Sequence, residues 1–387
     1  MGKTIVILGA SVAGIPIAHH LLTHTALLVP DLKVILVSPN THLYWMFASV
    51  RGIVPGGLDE DKLFVPIAPA FAKYPVDRFE FVLGTAEDLN PSENSVTVQT
   101  NDGQVRSIEY HTLVVATGSS AKDNMPWKAV STTEQTRAVL REWQTRIRSA
   151  KSIVVAGAGL TGIEVAGELA EAYAKTGQKE VTLIGTSNLP LDNTVRQDVR
   201  AAAQNILKTL GARVVMDTTV STVEGSGSGP RTIKIYKQGR EETITADVFM
   251  PTYGLQPNSS FAPASMLDQR GYIKQTKYLR VEGHDNIFVV GDVGNLETPH
   301  GIHTDLQVLH VVGSLQAYLK GGEVTEYRFS TEPYFGASIG RGAGIGQVKG
   351  LKVFSFLIWW NKSRTLGMQK VSGFVAGRRT LTKGKWT

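Results

Sequence analysis

Residues 152–168 read SIVVAGAGLTGIEVAGE, and this stretch decides the fold. The apolar run at its start is typical of a parallel strand buried on both faces. Gly157, Gly159 and Gly162 then form a complete G-x-G-x-x-G at the start of a helix. The first glycine permits a tight turn, the second lets the backbone approach a pyrophosphate, and the third lets the helix pack against the strand. The helix N-terminus adds free N–H groups, so the stretch predicts a dinucleotide-binding site.

A second copy of this plan lies near the start of the chain. Residues 4–22 read TIVILGASVAGIPIAHHLL, with Gly9 and Gly14 at the outer glycine positions and Ala13 before the last. Ser11 replaces the middle glycine. Its hydroxyl could donate to a phosphate, or its bulk could crowd the pyrophosphate. Two such units favour an α/β fold with two Rossmann-type domains over a chance glycine turn.

Both units lack the acidic residue that usually ends the second strand and binds the adenosine ribose. The first unit has Ser38 at that position, and the second has Gly185, Thr186 and Ser187. The absence of an acid in the second unit permits NADPH as well as NADH. Arg196 is then either a partner for the 2′-phosphate or an ordinary surface residue on a helix.

Two shorter motifs follow predicted strands elsewhere in the chain. Thr117 and Gly118 follow a strand near Leu113–Ala116, and Gly291 and Asp292 follow a strand at 286–290. A carboxylate at such a strand end can accept hydrogen bonds from the ribitol hydroxyls of a flavin. In isolation Gly-Asp is a common turn pair, and its place in this order gives it weight.

Composition narrows the possible functions. The chain has 387 residues, enough for two or three domains, and no cysteine. A disulfide framework, a thiolate metal site and a redox-active cysteine pair beside a flavin are therefore excluded. The sequence shows no signal peptide, and Val6 breaks the myristoylation pattern. A cytoplasmic location is expected, with peripheral contact to a membrane left open.

The region between the two units contains further predicted strands at 79–83, 95–99 and 113–116, which we interpret as antiparallel. A Gly-Ser run at 225–229 is followed by alternating strands at 232–236 and 242–245. That pattern predicts a hairpin tip rather than a domain linker.

Together these residues resemble the pyridine-nucleotide disulfide oxidoreductase superfamily, and within it the apoptosis-inducing-factor-like branch that includes the AMID and ferroptosis-suppressor flavoproteins. The resemblance runs through the whole chain. It rests on Ile7–Gly14, Arg51, Leu113–Ser119, Val154–Glu168, Thr182–Ile184, Val195–Gln197, Gly254, Asn258, Ser259, Gly283–Asp292, Gly340–Gln347 and Lys362–Arg364.

The resemblance implies FAD in an outer domain, NADH or NADPH in an inserted domain, and reduction of a quinone. It assigns to FAD the residues Gly9, Ser11, Ala13, Gly14, Ser38, Arg51, Ala86, Thr117, Gly118, Gly291 and Asp292. It assigns to NAD(P)H the residues Gly157, Gly159, Gly162, Glu164, Arg196 and Gly254. His300 stands where relatives carry a lysine near the flavin, so it is either a pH-dependent catalytic cation or an ordinary loop histidine. No metal site is expected.

The predicted architecture is α/β, with two nested Rossmann-type domains and a small C-terminal α+β domain. The FAD-binding domain is expected at 1–122 and 283–325, the NAD(P)H-binding domain at 123–282, and the C-terminal domain at 326–387. The predicted function is transfer of hydride from NAD(P)H through the flavin to a quinone or another hydrophobic acceptor. A tailoring flavoenzyme of specialised metabolism and a degenerate nucleotide-binding scaffold stay open as alternatives. A homodimer is also open.

The C-terminal region carries the basic character of the chain. Residues 341–387 hold ten Lys or Arg and no Asp or Glu, so the remainder has 30 basic and 34 acidic residues. Residues 351–360 read LKVFSFLIWW. Tryptophan beside lysine and arginine is typical of an interfacial anchor on anionic lipid. The alternative is a core element or dimer seam, which suits Phe354 and Phe356 better than the Trp359–Trp360 pair. Binding of nucleic acid is not expected.

Overall fold

The computed structural model describes residues 2–225 and 229–385. The strands, numbered in chain order, are β1 Lys3–Leu8, β2 Leu32–Ser38, β3 His42–Tyr44, β4 Phe64–Pro66, β5 Phe79–Asn90, β6 Ser95–Thr100, β7 Val105–Glu109, β8 Thr112–Val115, β9 Ser119–Ser120, β10 Ser152–Ala156, β11 Glu180–Ile184, β12 Arg213–Val215, β13 Thr218–Glu224, β14 Arg231–Lys237, β15 Arg240–Ala246, β16 Val248–Pro251, β17 Gln256–Pro257, β18 Ile287–Val289, β19 Tyr334–Ile339, β20 Ala343–Val348 and β21 Leu351–Lys352. The helices are α1 Gly14–Thr23, α2 Ser49–Gly52, α3 Ala68–Phe71, α4 Thr133–Ser149, α5 Leu160–Ala172, α6 Gln197–Thr209, α7 Gly301–Leu319, α8 Ser355–Ile358 and α9 Val371–Val375.

The largest sheet has seven strands in the order β18-β8-β1-β2-β5-β6-β7. β18, β8, β1, β2 and the first half of β5 are parallel, and the second half of β5 continues into an antiparallel meander with β6 and β7. Side chains of β1 alternate between two cores, with Ile5 and Ile7 on one face and Val6 and Leu8 on the other. This is why the first strand is apolar throughout.

One prediction of strand direction is wrong. Residues 113–116 were expected in an antiparallel strand, but β8 lies parallel between β1 and β18. Residues 79–83 also pair in parallel, with β2, before the chain turns antiparallel against β6. A run of apolar residues shows that a strand is buried and does not show which way its neighbours run.

The second sheet is nested inside the first in chain order. It has four parallel strands in the order β12-β11-β10-β16, and a three-stranded antiparallel layer of β13, β14 and β15 packs beside it. The chain leaves the large sheet after β8 and rejoins it at β18, after β17 has paired with β9. The flanks of the predicted hairpin are antiparallel strands β13 and β14, and residues 226–228 at its tip lie outside the described residues.

The C-terminal region forms a small antiparallel sheet of β19, β20 and β21, followed by α8, a π-turn at Trp359–Ser363, and α9. β19 packs against α5 of the nested unit. Phe354 and Phe356 are 79% and 64% exposed, so they are not core residues of this chain, and the alternative of a dimer seam stays open. Among the described residues, no helix combines the length and apolarity needed to cross a bilayer.

Candidate functional site

A cavity of about 400 Å³ lies where the parallel strands of the large sheet end. Ligands of open α/β sheets bind at this edge, outside the carboxyl ends of the strands. The cavity brings together most of the residues predicted to bind FAD, from five separate chain segments. These are Gly9, Ser11, Ala13, Ser38, Ala86, Thr117, Gly118, Gly291 and Asp292.

The turn that begins at Gly9 is built by backbone contact. Gly9 has φ +105°, and a Cβ there would lie 2.3 Å from the carbonyl oxygen of Ala116. A Cβ on Gly14 would lie 1.8 Å from the carbonyl oxygen of Gly9. Both glycines are therefore required by the fold itself, and the turn directs the N-terminus of α1 toward the cavity.

Asp292 is buried at the cavity wall. It accepts hydrogen bonds from Ser119 Oγ at 3.0 Å and from Lys128 Nζ at 2.6 Å. Burial alone would raise the pKa of this carboxyl, but the Lys128 ammonium and the Ser119 hydroxyl outweigh it and lower the pKa. Both bonds end on Oδ2, and no hydrogen bond within the described part of the chain ends on Oδ1. An ionised acceptor oxygen is thus left for a ribitol hydroxyl.

Lys128 was missed by the sequence analysis. It lines the cavity and lies 164 positions from its partner Asp292. Its neighbours Trp127 and Ala129 form no recognisable motif, so no local signal could have identified it. Lys128 reaches the site because the loop after β9, which carries it, lies next to the turn after β18, which carries Asp292.

The second glycine turn has the same backbone geometry. Gly157 has φ +102°, and a Cβ on Gly162 would lie 1.7 Å from the carbonyl oxygen of Gly157. Gly159 differs, because no protein atom lies within 4 Å of where its Cβ would be and its φ of −73° suits any residue. The described fold gives no reason for glycine at this position, whereas the close approach of a pyrophosphate does.

Gly254 lies near the same turn with φ +77°, one residue after Tyr253. The Thr252 hydroxyl donates to the carbonyl oxygens of Ala156 at 2.9 Å and Gly157 at 2.8 Å, which joins this segment to the glycine turn. The side chain of Lys122 lies beside Gly254 and over the Tyr253 ring.

The structure departs from the sequence analysis at Arg51, which does not line the cavity. Its Nε and Nη2 donate to the two carboxylate oxygens of Glu168 at 2.9 and 2.7 Å. Nη1 and Nη2 also donate to the carbonyl oxygens of Arg364 and Ser363. A buried guanidinium with this many partners links α2, α5 and the C-terminal region.

Glu164 also differs from its predicted role in binding NAD(P)H. Its Oε1 accepts hydrogen bonds from Ser338 N at 2.9 Å and Ser338 Oγ at 3.2 Å, and from Lys362 Nζ at 2.7 Å. These partners belong to β19 and the π-turn. The carboxylate therefore joins the start of α5 to the C-terminal region.

Arg196 is engaged on the protein surface. Its Nε lies 3.0 Å from Asp198 Oδ1, its Nη2 lies 3.3 Å from Asp198 Oδ2, and its Nη1 donates to the carbonyl oxygen of Gly350. Its backbone N–H donates to Gln347. Asp198 neutralises the charge, so the structure favours the surface interpretation of Arg196.

His300 caps α7, with its Nδ1 accepting from the N–H of Ile302 at 3.4 Å. The pKa of His300 is lowered to about 4, mainly by burial and also by nearby His303 and Lys362, against the opposing effect of Asp292. The imidazole is therefore neutral at pH 7. The cation that the sequence comparison with lysine-bearing relatives suggested is not present here at neutral pH.

The residues present fit a flavin dinucleotide in the cavity. The glycine turn and the N-terminus of α1 suit a pyrophosphate, and the open acceptor oxygen of Asp292 suits a polyol. Ser38 and Asn40 line the same cavity and suit a ribose. The second turn, with its unobstructed Gly159, fits a second dinucleotide. No group of three or more His, Asp or Glu residues in the described chain could hold a metal ion.

Comparison with known proteins agrees with this geometry. Residues 3–310 match the family described as pyridine nucleotide-disulphide oxidoreductase. Oxidoreductase ptaL of Pestalotiopsis fici is 35% identical over 92% of this chain and 94% of its own length. Ferroptosis suppressor protein 1 of Homo sapiens is 29% identical over 94% of this chain and 93% of its own.

A solved structure supports the fold. The sulfide:quinone oxidoreductase from Aquifex aeolicus superposes with a TM-score of 0.72 at 17% identity, covering 97% of this chain and 92% of that one. The fold, the two glycine turns, the cavity and the family match lead to one conclusion. The chain belongs to the pyridine nucleotide-disulphide oxidoreductase family, in its apoptosis-inducing-factor-like branch, and is a flavin-dependent NAD(P)H oxidoreductase that binds FAD and NAD(P)H.

Proposed function

We propose that the protein passes electrons from NAD(P)H through FAD to a quinone-type acceptor, and that it meets this acceptor at an anionic membrane surface. The observation that carries the proposal is an exposed apolar surface with basic neighbours on the C-terminal region. We call it the apolar face and define it by Leu351, Phe354, Phe356, Leu357 and Trp360.

When bound, FAD would supply the redox chemistry between NAD(P)H and the acceptor. The chain supplies binding and alignment. The two glycine turns hold the pyrophosphates at the N-termini of α1 and α5. Asp292, kept ionised by Lys128, orients the ribitol chain. The absence of cysteine means that no dithiol relays the electrons, so the acceptor must approach the flavin itself.

The apolar face has the composition of an interfacial anchor. Phe354 and Phe356 are mostly exposed, and Trp360 is 52% exposed with the Arg364 guanidinium 4.6 Å from its ring centroid. Lys349 and Lys352 are exposed nearby in sequence, and no acidic residue occurs from 341 to the end. Aromatic rings suit headgroup depth, and each cation near an anionic surface adds about 1 kcal/mol of attraction. We therefore propose that anionic lipid binds this face.

Vesicle binding tests the membrane part of the proposal. We expect the protein to co-sediment with phosphatidylserine-containing vesicles, to bind neutral vesicles weakly, and to be released by salt. Phe356→Ala/Trp360→Ala should weaken binding at least tenfold while FAD content and activity on a water-soluble quinone persist. Leu27→Ala/Leu28→Ala is the matched control, since these residues are exposed apolar side chains outside the C-terminal region. Binding that the control pair weakens equally would contradict the assignment.

An acceptor panel tests the chemistry. Steady-state NAD(P)H oxidation should be faster with quinones than with oxygen alone. A failure with every quinone would remove this acceptor class while leaving the family assignment intact.

A second candidate function is oxidation or reduction of a specialised metabolite. The 35% identity to ptaL, which is named only as an oxidoreductase, exceeds the 29% to the human ferroptosis suppressor protein and leaves room for an acceptor other than a quinone. Turnover of a metabolite in the panel without quinone turnover would decide for this candidate. The alternative of a degenerate scaffold predicts a colourless protein that oxidises no NAD(P)H.

A further inference from the structure

Asp305 on α7 is completely buried, and its carboxylate is used by the end of the chain. It accepts hydrogen bonds from Thr380 Oγ1 at 3.0 Å and from the backbone N–H groups of Leu381 and Thr382 at 2.9 Å each, and a further bond from Thr382 Oγ1. Thr380 and Lys383 also bond to each other through their backbones. We call Thr380–Lys383 the C-terminal strap.

Burying a carboxylate is costly unless its lone pairs are satisfied. The strap donates hydrogen bonds to both oxygens of Asp305. We call Asp305 and the strap together the latch. Within the described chain, the backbone N–H groups of Leu381 and Thr382 have Asp305 as their acceptor, so the carboxylate holds the strap in place.

The latch lies one helical turn beyond the cavity. Gly301 and Thr304 of α7 line the cavity, and Asp305 follows Gly301 by four positions, on the same face of the helix. Leu381 Cδ1 lies 3.8 Å from where a Cβ on Gly301 would be, and the ring of Phe47 lies 2.7 Å from that point. Leu381 of the strap and Phe47 thus both lie beside the first turn of α7.

At this end the cavity is apolar, and the C-terminal region packs behind its lining. Met46 and Phe47 line it, and Trp45 just before them donates its indole N–H to the carbonyl oxygen of Leu366 at 2.9 Å. The same region carries the apolar face. The NAD(P)H turn, by contrast, lies on the nested unit, at the start of α5.

We propose that the C-terminal strap backs the wall of the acceptor site at the start of α7, with Leu381 determining which acceptors fit and Asp305 positioning it. This deepens the proposed function, because it rests on reduction of an external acceptor at this end of the cavity. Release of the strap should widen the site without changing how NAD(P)H is used.

The test compares two variants with one control in the FAD-loaded protein. Asp305→Asn places a carboxamide where two backbone donors need acceptors, which should free the strap. Leu381→Ala leaves the hydrogen bonds between the strap and Asp305 in place and removes the apolar side chain that lies beside Gly301. Lys385→Ala removes an exposed charge just beyond the strap and serves as the control.

Two readouts are needed. Deuterium uptake by residues 380–383 should rise at least tenfold in Asp305→Asn and stay unchanged in Leu381→Ala and Lys385→Ala. The ratio of kcat/KM for a bulky two-ring quinone to that for a one-ring quinone should rise about fivefold in both Asp305→Asn and Leu381→Ala. The rate of flavin bleaching by NAD(P)H without acceptor should stay within twofold.

Equal changes for both acceptors, or a changed bleaching rate in Leu381→Ala, would overturn the proposal. If Asp305→Asn fails to fold, Leu381→Ala decides alone. If the wild type reduces no quinone, the proposed acceptor class fails, and two redox dyes of different size then measure the same ratio.

Discussion

The two glycine turns of this protein share a backbone and differ at one residue. In both, the first glycine has a φ near +100°, and the third glycine would place a Cβ less than 2 Å from the carbonyl oxygen of the first. At the middle position the first turn has Ser11 and the second has Gly159. No protein atom lies within 4 Å of a Cβ on Gly159.

The difference separates what the fold requires from what a ligand requires. The outer glycines are fixed by protein packing, so they would be needed even in a scaffold that binds nothing. The middle position is free of that constraint, so glycine there indicates close approach of a phosphate. Ser11 is therefore compatible with the fold, and its effect should be confined to FAD.

The largest expected effect is on folding. Gly14→Ala and Gly162→Ala force a carbon into a carbonyl oxygen, and each should lower the free energy of unfolding by about 3 kcal/mol or more. Gly159→Ala is the matched control and should cost about 1 kcal/mol or less. Urea unfolding of the three variants measures this. Equal stability of Gly159→Ala and Gly162→Ala would remove the distinction between fold and ligand.

The second prediction addresses the ligand at Gly159. Gly159→Val should lower the rate of flavin reduction by NAD(P)H at least about 100-fold, because its side chain occupies the place of the pyrophosphate. FAD content should be unchanged, and Gly159→Ala should lie between valine and wild type. Anaerobic stopped-flow measures the rate. Loss of FAD with NAD(P)H binding retained would reverse the assignment of the two turns.

The third prediction contrasts the helices that follow the turns. α5 is tied to the C-terminal region through the charged pair Glu168–Arg51, whereas α1 is tied through a neutral imidazole. The carbonyl oxygen of Val375 can only accept, so His19 Nε2 donates to it at 2.8 Å and Nδ1 accepts from the Tyr74 hydroxyl. Burial lowers the pKa of His19 to about 4, despite the opposing effect of the bond to Val375.

Since the folded pKa lies below the unfolded value of about 6.5, the unfolded chain binds the proton more readily. The contribution of His19 is complete above pH 6.5 and declines as the pH falls toward 4. At pH 5 the wild type should have lost about 2 kcal/mol through this residue. His19→Gln should show a shallower decline in chemical unfolding between pH 7 and pH 5. Parallel pH profiles would show that His19 does not titrate on unfolding.

The fourth prediction concerns the ribose end of the first unit. Ser38→Asp should tighten FAD by about 1 kcal/mol, or about fivefold, because a carboxylate accepts stronger hydrogen bonds than a hydroxyl. Ser38 lines the cavity, and its Oγ accepts from the N–H of Asn40 at 3.2 Å. Titration of the apoprotein with FAD measures the effect, with Ser38→Ala as control. Unchanged affinity in Ser38→Asp would place the ribose against another group such as Asn40.

The smallest expected effect is on coenzyme choice at the second unit. Arg196→Ala should change kcat/KM for NADPH and NADH by the same factor, because Asp198 already neutralises the guanidinium. Asp198→Ala, which removes the partner carboxylate, should likewise change kcat/KM for both coenzymes by the same factor. Steady-state rates with NADPH and with NADH measure the ratio of the two kcat/KM values. A selective loss of NADPH in Arg196→Ala would restore Arg196 as a phosphate ligand.

The sequence by itself determined the two α/β units and the turns that bind dinucleotides. β10 coincides with the apolar run that opens residues 152–168 and ends directly before Gly157, since a buried apolar run followed by glycine is a local signal. The absence of cysteine likewise follows from the sequence alone. Most predicted FAD residues line one cavity, because parallel strands bring their carboxyl ends to one edge.

Only the tertiary structure decided which distant side chains meet. Arg51, which was predicted to bind FAD, instead bonds to Glu168, 117 positions away. Lys128 bonds to Asp292, 164 positions away. The strap likewise bonds to Asp305, which is distant in sequence. The parallel direction of β8 depends on its neighbouring strands. Periodicity and glycine spacing describe contacts within a few residues, whereas these pairs depend on how whole units pack, which no local pattern records.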